Sequence, residues 1–424
     1  MKRVLSTLAL VVSSSYCMTA QAVDLGAADY NPAISVVLSG HAYYDNRDNN
    51  GAALLDQSAT FPAQGEVETG QQAFNLDGSE IAFSSNVDAY FSVWLAATME
   101  DGGMEVEEAW LQTRALPYGL QAKAGRFLSR IGYLNTKHNH DWDFIDQNLA
   151  YTSLFHGEHL SGDGVQLTWL APTDSYWLFG VEAIQGDGLN GFGQSQDADA
   201  LVDALGVADT DGLGLKQHKG PNLFTGFIHF SPDLGTRQAL QLGLSAAWHQ
   251  DQSNTFATGS NDALLTQGGA NLVGMQAVYK SFASDSYGTH GLTLSAEVFS
   301  ASADNRGSIF SAGAITAAAT AKLRENAGYV QAVYGFAPRW QVGLRHAAAG
   351  FGSKQEVAGV DAEVHTSRQD SALLSWKLSE FSRLRLEVSH NRVWPQDGNA
   401  GAEQFNQAML GYTMIIGAHP AHHF

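Results

Sequence analysis

The sequence predicts an all-β chain, a transmembrane antiparallel β-barrel of about 16 strands with no separate plug domain. Three observations carry that reading. Apolar and polar residues alternate through most of the chain. The connections between strand candidates alternate between short and long. The chain opens with an export signal, yet no later stretch holds the ~18 uninterrupted apolar residues of a membrane helix. Composition agrees: 424 residues include 44 Gly, 21 Phe and 14 Tyr, with 23 Lys+Arg against 43 Asp+Glu and a formal net charge of −20. So acidic a chain is a poor partner for nucleic acid, whose phosphates reward Lys and Arg. A single Cys excludes a disulfide scaffold.

Lys2 and Arg3 precede an apolar run from Val4 to Val12, followed by small polar residues and Ala20-Gln21-Ala22. This is the pattern of a secretory signal peptide over 1–22, leaving 23–424 as the barrel. Cys17 is not a lipoprotein cysteine, because Tyr16 stands where a small residue is needed.

Alternation defines the strands. Leu384, Leu386 and Val388 alternate with Arg383, Arg385 and Glu387, and Trp340, Val342 and Leu344 with Gln341, Gly343 and Arg345. Leu240 to Trp248 and Phe405 to Ala418 repeat the pattern. A wall with one face in lipid and one in a hydrated lumen reads this way, but so does a soluble sandwich. Spacing arbitrates. Strand candidates fall near 33–45, 75–86, 88–99, 104–114, 119–129, 163–171, 176–187 and 221–230. They continue near 237–250, 270–282, 290–301, 325–336, 338–349, 366–378, 380–393 and 404–416. Tight links such as Pro117-Tyr118, Pro172-Thr173-Asp174 and Pro338 alternate with longer ones at 46–74, 130–162, 188–220, 251–269, 302–324, 350–365 and 394–403, only 100–103 breaking the rule. Outer-membrane barrels have short periplasmic turns and long outside loops, whereas a sandwich has no reason to sort loop length by parity. Sixteen strands is a size that leaves an aqueous channel. The terminal Phe424, after an aromatic-bearing strand, resembles the signal by which outer-membrane proteins engage their assembly machinery, so that machinery and outer-membrane lipid are expected partners.

No catalytic motif stands out: there is no Gly-x-Ser-x-Gly elbow and no His-Glu-x-x-His pair, so no enzyme is predicted. His390 follows Ser389 at a strand end, on the lipid-facing parity near the outer rim. The 15 His are more informative. His138, His140, Asp141 and Asp143, followed by His156, Glu158 and His159, form a candidate metal-binding set within the 130–162 connection. In an extended backbone His138 and His140 would share a face, and imidazole with carboxylate suits Zn²⁺ or a similar ion. The alternative is a hydrophilic loop packed inside the barrel. His419, His422 and His423 form a second group at the C-terminus, equally readable as a solvated tail. The acidic connection with Asp187, Asp197, Asp199, Asp203, Asp209 and Asp211 would attract cations by its field, and Asp209-Thr210-Asp211-Gly212 lacks the downstream Glu of a Ca²⁺ loop. His41 and His346 lie in strands at the lumen or rim.

Glu107-Glu108-Ala109-Trp110-Leu111, then Leu120-Gln121-Ala122-Lys123-Ala124-Gly125-Arg126-Phe127 with Gly132, resembles a pattern of phosphate-selective-type porins. Ala124 to Phe127, Ile131 to Asn135, His138 to Phe144, Asp163 to Leu167, Trp169 to Thr173 and the tail from Gly417 to Phe424 are similar to the zinc-regulated, TonB-dependent-receptor-like outer-membrane proteins. The resemblance implies an outer-membrane barrel induced by zinc shortage and implicated in zinc uptake. The chain departs from TonB-dependent receptors proper, which carry a plug before a 22-stranded barrel. Its acidity also departs from the Lys/Arg-rich constriction an anion pore wants.

The expectation is thus a passive porin-like channel, cation-favouring, with Zn²⁺ or another divalent metal as transported or transiently bound ion and no resident cofactor. A general porin without metal specificity, or a non-conducting barrel binding metal or ligand through its outside loops, is the alternative. A homotrimer is compatible with this barrel size.

Overall fold

The period-two pattern yields one antiparallel sheet that closes on itself. The computed structural model describes residues 32–47, 51–62, 72–100, 103–186, 189–216, 219–258, 262–395 and 401–417. The expected signal peptide, Asp187, the tail histidines and Phe424 lie outside these. Sixteen strands build the barrel. β1 spans Ala33–Asp45, β2 Ser79–Asn86, β3 Phe91–Glu100 and β4 Gly103–Thr113. β5 spans Leu120–Leu128, β6 Ser161–Leu170, β7 Tyr176–Gln185 and β8 Leu223–Ser231. β9 spans Gln238–Ala257, β10 Asp262–Ser281, β11 Leu292–Ser311 and β12 Ala314–Ala337. β13 spans Trp340–Ala349, β14 Ser367–Lys377, β15 Ser382–Val393 and β16 Glu403–Gly417. Each pairs with its sequence neighbour, and β1 pairs with β16 from Ser35↔Gly417 to Asp45↔Gln407, which leaves no free edge.

Burial is inverted relative to a soluble protein. Leu242, Leu344, Leu386 and Leu410 point outward and are exposed, Leu344 to 68%, while Gln241, Arg345, Glu387 and Gln407 between them are buried. The apolar face is therefore outside, where lipid would solvate it, and the polar face lines the interior. Aromatics gather outside near the short turns: Trp340 stacks on Trp376 at 5.4 Å, Trp177 meets Phe230 at 4.3 Å and Trp169 meets Phe179 at 5.5 Å. Such rings suit an interfacial girdle.

Two of the expected long connections are strand. Residues 251–257 and 262–269 extend β9 and β10, and 302–311 and 314–324 extend β11 and β12, so these four run 20, 20, 20 and 24 residues. Their outer halves are rich in Ser, Thr, Ala, Asn and Gln, a composition that reads as loop, but pairing in one register from Asp262↔Ser311 to Ser281↔Leu292, broken only at Gly268 and Gly269, holds them in the sheet. β2 to β8 have only 8 to 11 residues. One side of the barrel is therefore much taller than the other. The 350–366 connection carries its own hairpin, Lys354–Val357 with Val360–Ala362, which pairs with β12.

Leu344→Arg should lower unfolding stability in lipid vesicles by ~2–4 kcal/mol if that face meets hydrocarbon. Leu344→Ile should stay within ~0.5 kcal/mol. Urea titrations in vesicles make the comparison, and equal behaviour of the two variants would contradict a lipid-facing wall.

Candidate functional site: a loop lodged across the lumen

The connection between β5 and β6, residues 129–160, folds into the barrel and is fastened by wall side chains. Glu297 on β11 accepts the N–H groups of Tyr133 (2.6 Å) and Leu134 (3.1 Å) and the hydroxyls of Tyr151 (3.1 Å) and Tyr329 (2.6 Å). Glu387 on β15, 0% exposed, accepts the Ile145 N–H at 2.7 Å and pairs with Arg345, which also reaches Asp146. Arg383 donates to the carbonyls of His140 and Trp142, and Arg385 to those of Trp142 and Phe144. Irregular backbone inside a barrel needs partners that neither strand nor lipid supplies, and these side chains supply them. Two glycines make the fit. Gly132 has φ +78°, and a Cβ there would lie 2.5 Å from both Glu297 and Tyr151. Gly411 on β16 leaves room for Ile145, which a Cβ would meet at 3.1 Å.

Within this connection α2 (Leu149–Phe155) starts where Asn148 Oδ1 accepts the N–H of Ala150 and Tyr151, and stops at His156, whose φ of 49° is left-handed. Its Leu149, Leu154 and Phe155 are buried in one apolar cluster with Phe61, from the β1–β2 connection, and Phe192, from the β7–β8 connection. Burying each such side chain contributes ~1.5–3 kcal/mol. His156 joins the segments: its Nδ1 lies 2.5 Å from Asp56 Oδ1, at the end of α1 (Gly51–Asp56), and its Nε2 lies 2.7 Å from the Phe61 carbonyl. The cavity between the loop and the far wall, lined by Trp142, Asp143, Phe144, Tyr151 and Arg345, measures about 10 Å³.

On the low side of the barrel an acidic corner receives His138. A β-bulge opposite Ala96/Ala97 leaves Glu107 unpaired in the ladder, so that Glu107 and Glu108 both reach the inward loop. His138 Nδ1 lies 2.6 Å from Glu107 Oε2 and 3.1 Å from Glu80 Oε2, and its Nε2 lies 3.2 Å from Glu108 Oε2. Burial works against a charge on His138, yet the hydrogen bonds to Glu107 and Glu108 and the field of Glu80 hold it well above its usual range. Residues 139–141 form a 3-10 turn rather than extended backbone, which stacks the His140 ring on His138 at 5.8 Å and sets its Nε2 3.3 Å from Asp141. His159 packs on Trp142, and burial together with charged His138 pushes it down to about 4.

The expected metal set therefore divides. His138, His140 and Asp141 gather at this corner, with Glu80, Glu107 and Glu108 as wall partners that the ligand reading of the sequence missed; paired acids in an alternating strand were the available signal. His156 serves the junction with Asp56. The Glu158 side chain stays exposed beyond α2. Asp143 takes an amide hydrogen bond from Gln331 and faces a basic arc, within electrostatic reach of Lys137, Lys280, Lys377 and Arg383. Elsewhere, Asp209 caps a 3-10 turn through the Gly212 N–H, His41 meets Asp77 at 2.6 Å, and His346 and His390 lie exposed beside Asp370 and Asn406.

No family model matches the chain. It is 30% identical over 403 residues to an uncharacterized protein of Aquifex aeolicus, an alignment that covers 93% of this chain and 80% of that one. Among solved structures it is similar to the outer membrane channel DcaP of Acinetobacter baumannii, with TM-score 0.55 and 12% identity over 92% of this chain and 99% of that one. It is also similar to OprB of Pseudomonas putida, with TM-score 0.53 and 12% identity over 93% and 96%. The trimer form of Vibrio cholerae OmpT gives TM-score 0.51 and 10% identity over 91% and 99%. At such identities the likeness establishes a porin-like barrel fold. The resemblance to the zinc-regulated receptor-like group has no counterpart among these neighbours.

Glu297→Ala leaves two backbone N–H groups and two phenols without their acceptor and should cost ~3–5 kcal/mol. Limited trypsin digestion should then cut at Arg130 and Lys137, and leave both bonds intact in the wild type. Glu297→Gln, which keeps one acceptor oxygen, should be cut far more slowly.

Proposed function

The chain belongs to the family of the Aquifex aeolicus protein, and from its porin-like fold we propose that it is a channel of the outer membrane for passive passage of small polar solutes. The observation that carries this reading is a separation of charge across the inward loop. Glu80, Glu107 and Glu108 stand on β2 and β4, whereas Lys280, Arg345, Lys377, Arg383 and Arg385 stand on β10 and β13–β15. Opposite charges across a narrow polar passage set a transverse field that orders small dipolar solutes and their water. The fold and the alternating wall support placement in lipid. The cation preference expected from net charge needs revision on this reading. Glu297, Glu325 and Glu387 accept loop or wall hydrogen bonds, and the remaining lumen acids share the interior with the basic arc. Divalent ions are the more specific solute that the acidic corner admits.

A second reading, a non-conducting barrel that binds ligands at its outer face, draws on the packing of Leu154 and Phe155 against Phe61 and Phe192 inside the lumen.

Planar-bilayer recordings of the refolded protein decide between them. A channel gives discrete conductance steps, and Arg383→Ala/Arg385→Ala, which frees the loop carbonyls, should raise step size about twofold or more. No steps in either protein would sink the channel reading and leave the surface-binding barrel. In a salt gradient, Lys280→Glu/Lys377→Glu should move the reversal potential toward cation selectivity; an unchanged potential would remove the basic arc from the ion path.

A further inference from the structure

We propose that Glu80, Glu107 and His138 form a binding site for a divalent first-row transition-metal ion, with Glu108 as the group that orients the imidazole. Three observations point there. One ligand atom from each of Glu80, Glu107 and His138 falls within 4.8 Å of the other two. An ion with bonds of ~2.0–2.2 Å needs its ligand atoms about that close. The two edges of the His138 ring have different surroundings. Nδ1 faces the carboxylates of Glu80 and Glu107, while Nε2 lies 3.2 Å from Glu108 Oε2. That is the arrangement of a metal-bound histidine, one nitrogen on the ion and the other N–H donated to a carboxylate that fixes the tautomer. Lastly, Glu80 is 3% exposed and its Oε1 has no hydrogen-bond partner among the described residues, although its other oxygen sits in the cluster. A buried carboxylate oxygen without a partner is costly, and a cation held by both oxygens of Glu80 would satisfy it.

The surroundings complete the site. The Thr98 hydroxyl donates to Glu107 Oε1, which leaves Oε2 turned toward His138. His140 Nδ1, 3.7 Å from Glu80 Oε2, stands where a fourth ligand would enter. Two carboxylates neutralise the double charge of the ion. The imidazole ligand favours Zn²⁺, Fe²⁺, Ni²⁺ or Cu²⁺ over Mn²⁺, Ca²⁺ and Mg²⁺. Because Glu80 and Glu107 belong to the wall and His138 to the inward connection, the ion would also tie the loop to the low side of the barrel. The site does not depend on the barrel conducting.

Titration calorimetry on the refolded full chain in detergent tests this with ZnCl₂, MnCl₂ and CaCl₂ separately. Heat-modifiable gel mobility monitors folding of every variant. Zn²⁺ should bind at one ion per chain. His138→Gln and Glu107→Gln should weaken it at least a hundredfold, and Glu108→Gln about tenfold to a hundredfold. The variant with His419, His422 and His423 all changed to Ala should keep it. Absence of binding in the wild type, binding that survives His138→Gln, loss in the tail variant, or a preference for Ca²⁺ would each overturn the proposal. X-ray absorption of the wild-type protein loaded with Zn²⁺ needs no variant: one or two imidazoles with oxygen ligands are expected, and a shell of three or more imidazoles would rule this site out.

Discussion

A segment of irregular chain inside a barrel brings backbone donors and acceptors into a place where strands are fully paired and lipid offers nothing. Meeting that demand is the constraint on which the interior depends. Here it is met by ionisable side chains on the wall. Carboxylates of Glu297 and Glu387 take loop N–H groups, and guanidinium groups of Arg383 and Arg385 take loop carbonyls. The division follows from chemistry, since an ionised carboxylate only accepts and a guanidinium only donates. Each anchor is thereby committed to one stretch of backbone, and the loop has one seat rather than several.

The second element of the interior is apolar and comes from three distant parts of the chain. Phe61, Leu154 with Phe155, and Phe192 meet at one cluster, and the polar joint between His156 and Asp56 sits beside it. The anchors alone would fix the loop at its edges. The cluster adds a desolvated centre, so that displacing the β5–β6 connection exposes apolar surface on three segments at once. A loop held in this way acts as part of the wall, and any passage must run beside it.

Much of the barrel could be read from residues. Each of the sixteen strands overlaps a stretch that alternation marked, though β9 to β12 run well beyond theirs, and the inward connection is the one rich in His, Asp and aromatic residues. What escaped was set by pairing across the sheet. Outer halves of β9 to β12, such as Gln252-Ser253-Asn254-Thr255, read as loop because they lack an apolar face, but a neighbour of matching length keeps them paired, past a register shift between His249 and Gln252. The candidate metal set was legible only on the loop side. Glu80 and Glu107 lie about 58 and 31 positions before His138 in the chain, and Glu107 turns inward because a bulge interrupts the period-two rule on which the strand reading rests. His156 was grouped with His138 by proximity in sequence, whereas α2 carries it away to Asp56.

Charge separation inside the barrel follows from the same seating. His138 and Asp143 are five residues apart, and beyond the 3-10 turn at 139–141 they reach different parts of the wall, Glu107 on β4 and Gln331 on β12. The loop thus presents a cation to the acidic corner and an anion to the basic arc. This attracts it to both walls and keeps either cluster from being a bare patch of one sign. The acidic side keeps a surplus, with His138 and Lys123 set against Glu80, Glu107, Glu108 and Asp141, while Asp143 lies within reach of Lys137 on the loop itself and of Lys280, Lys377 and Arg383 on the wall. The two groups stand on different strands, β2 and β4 against β10, β14 and β15, so the residual field has a component across the lumen. A field of that direction neither drives nor blocks a neutral solute, but it selects the orientation in which a dipolar one can pass. On the channel reading proposed above, this interior would discriminate by dipole and size more than by net charge.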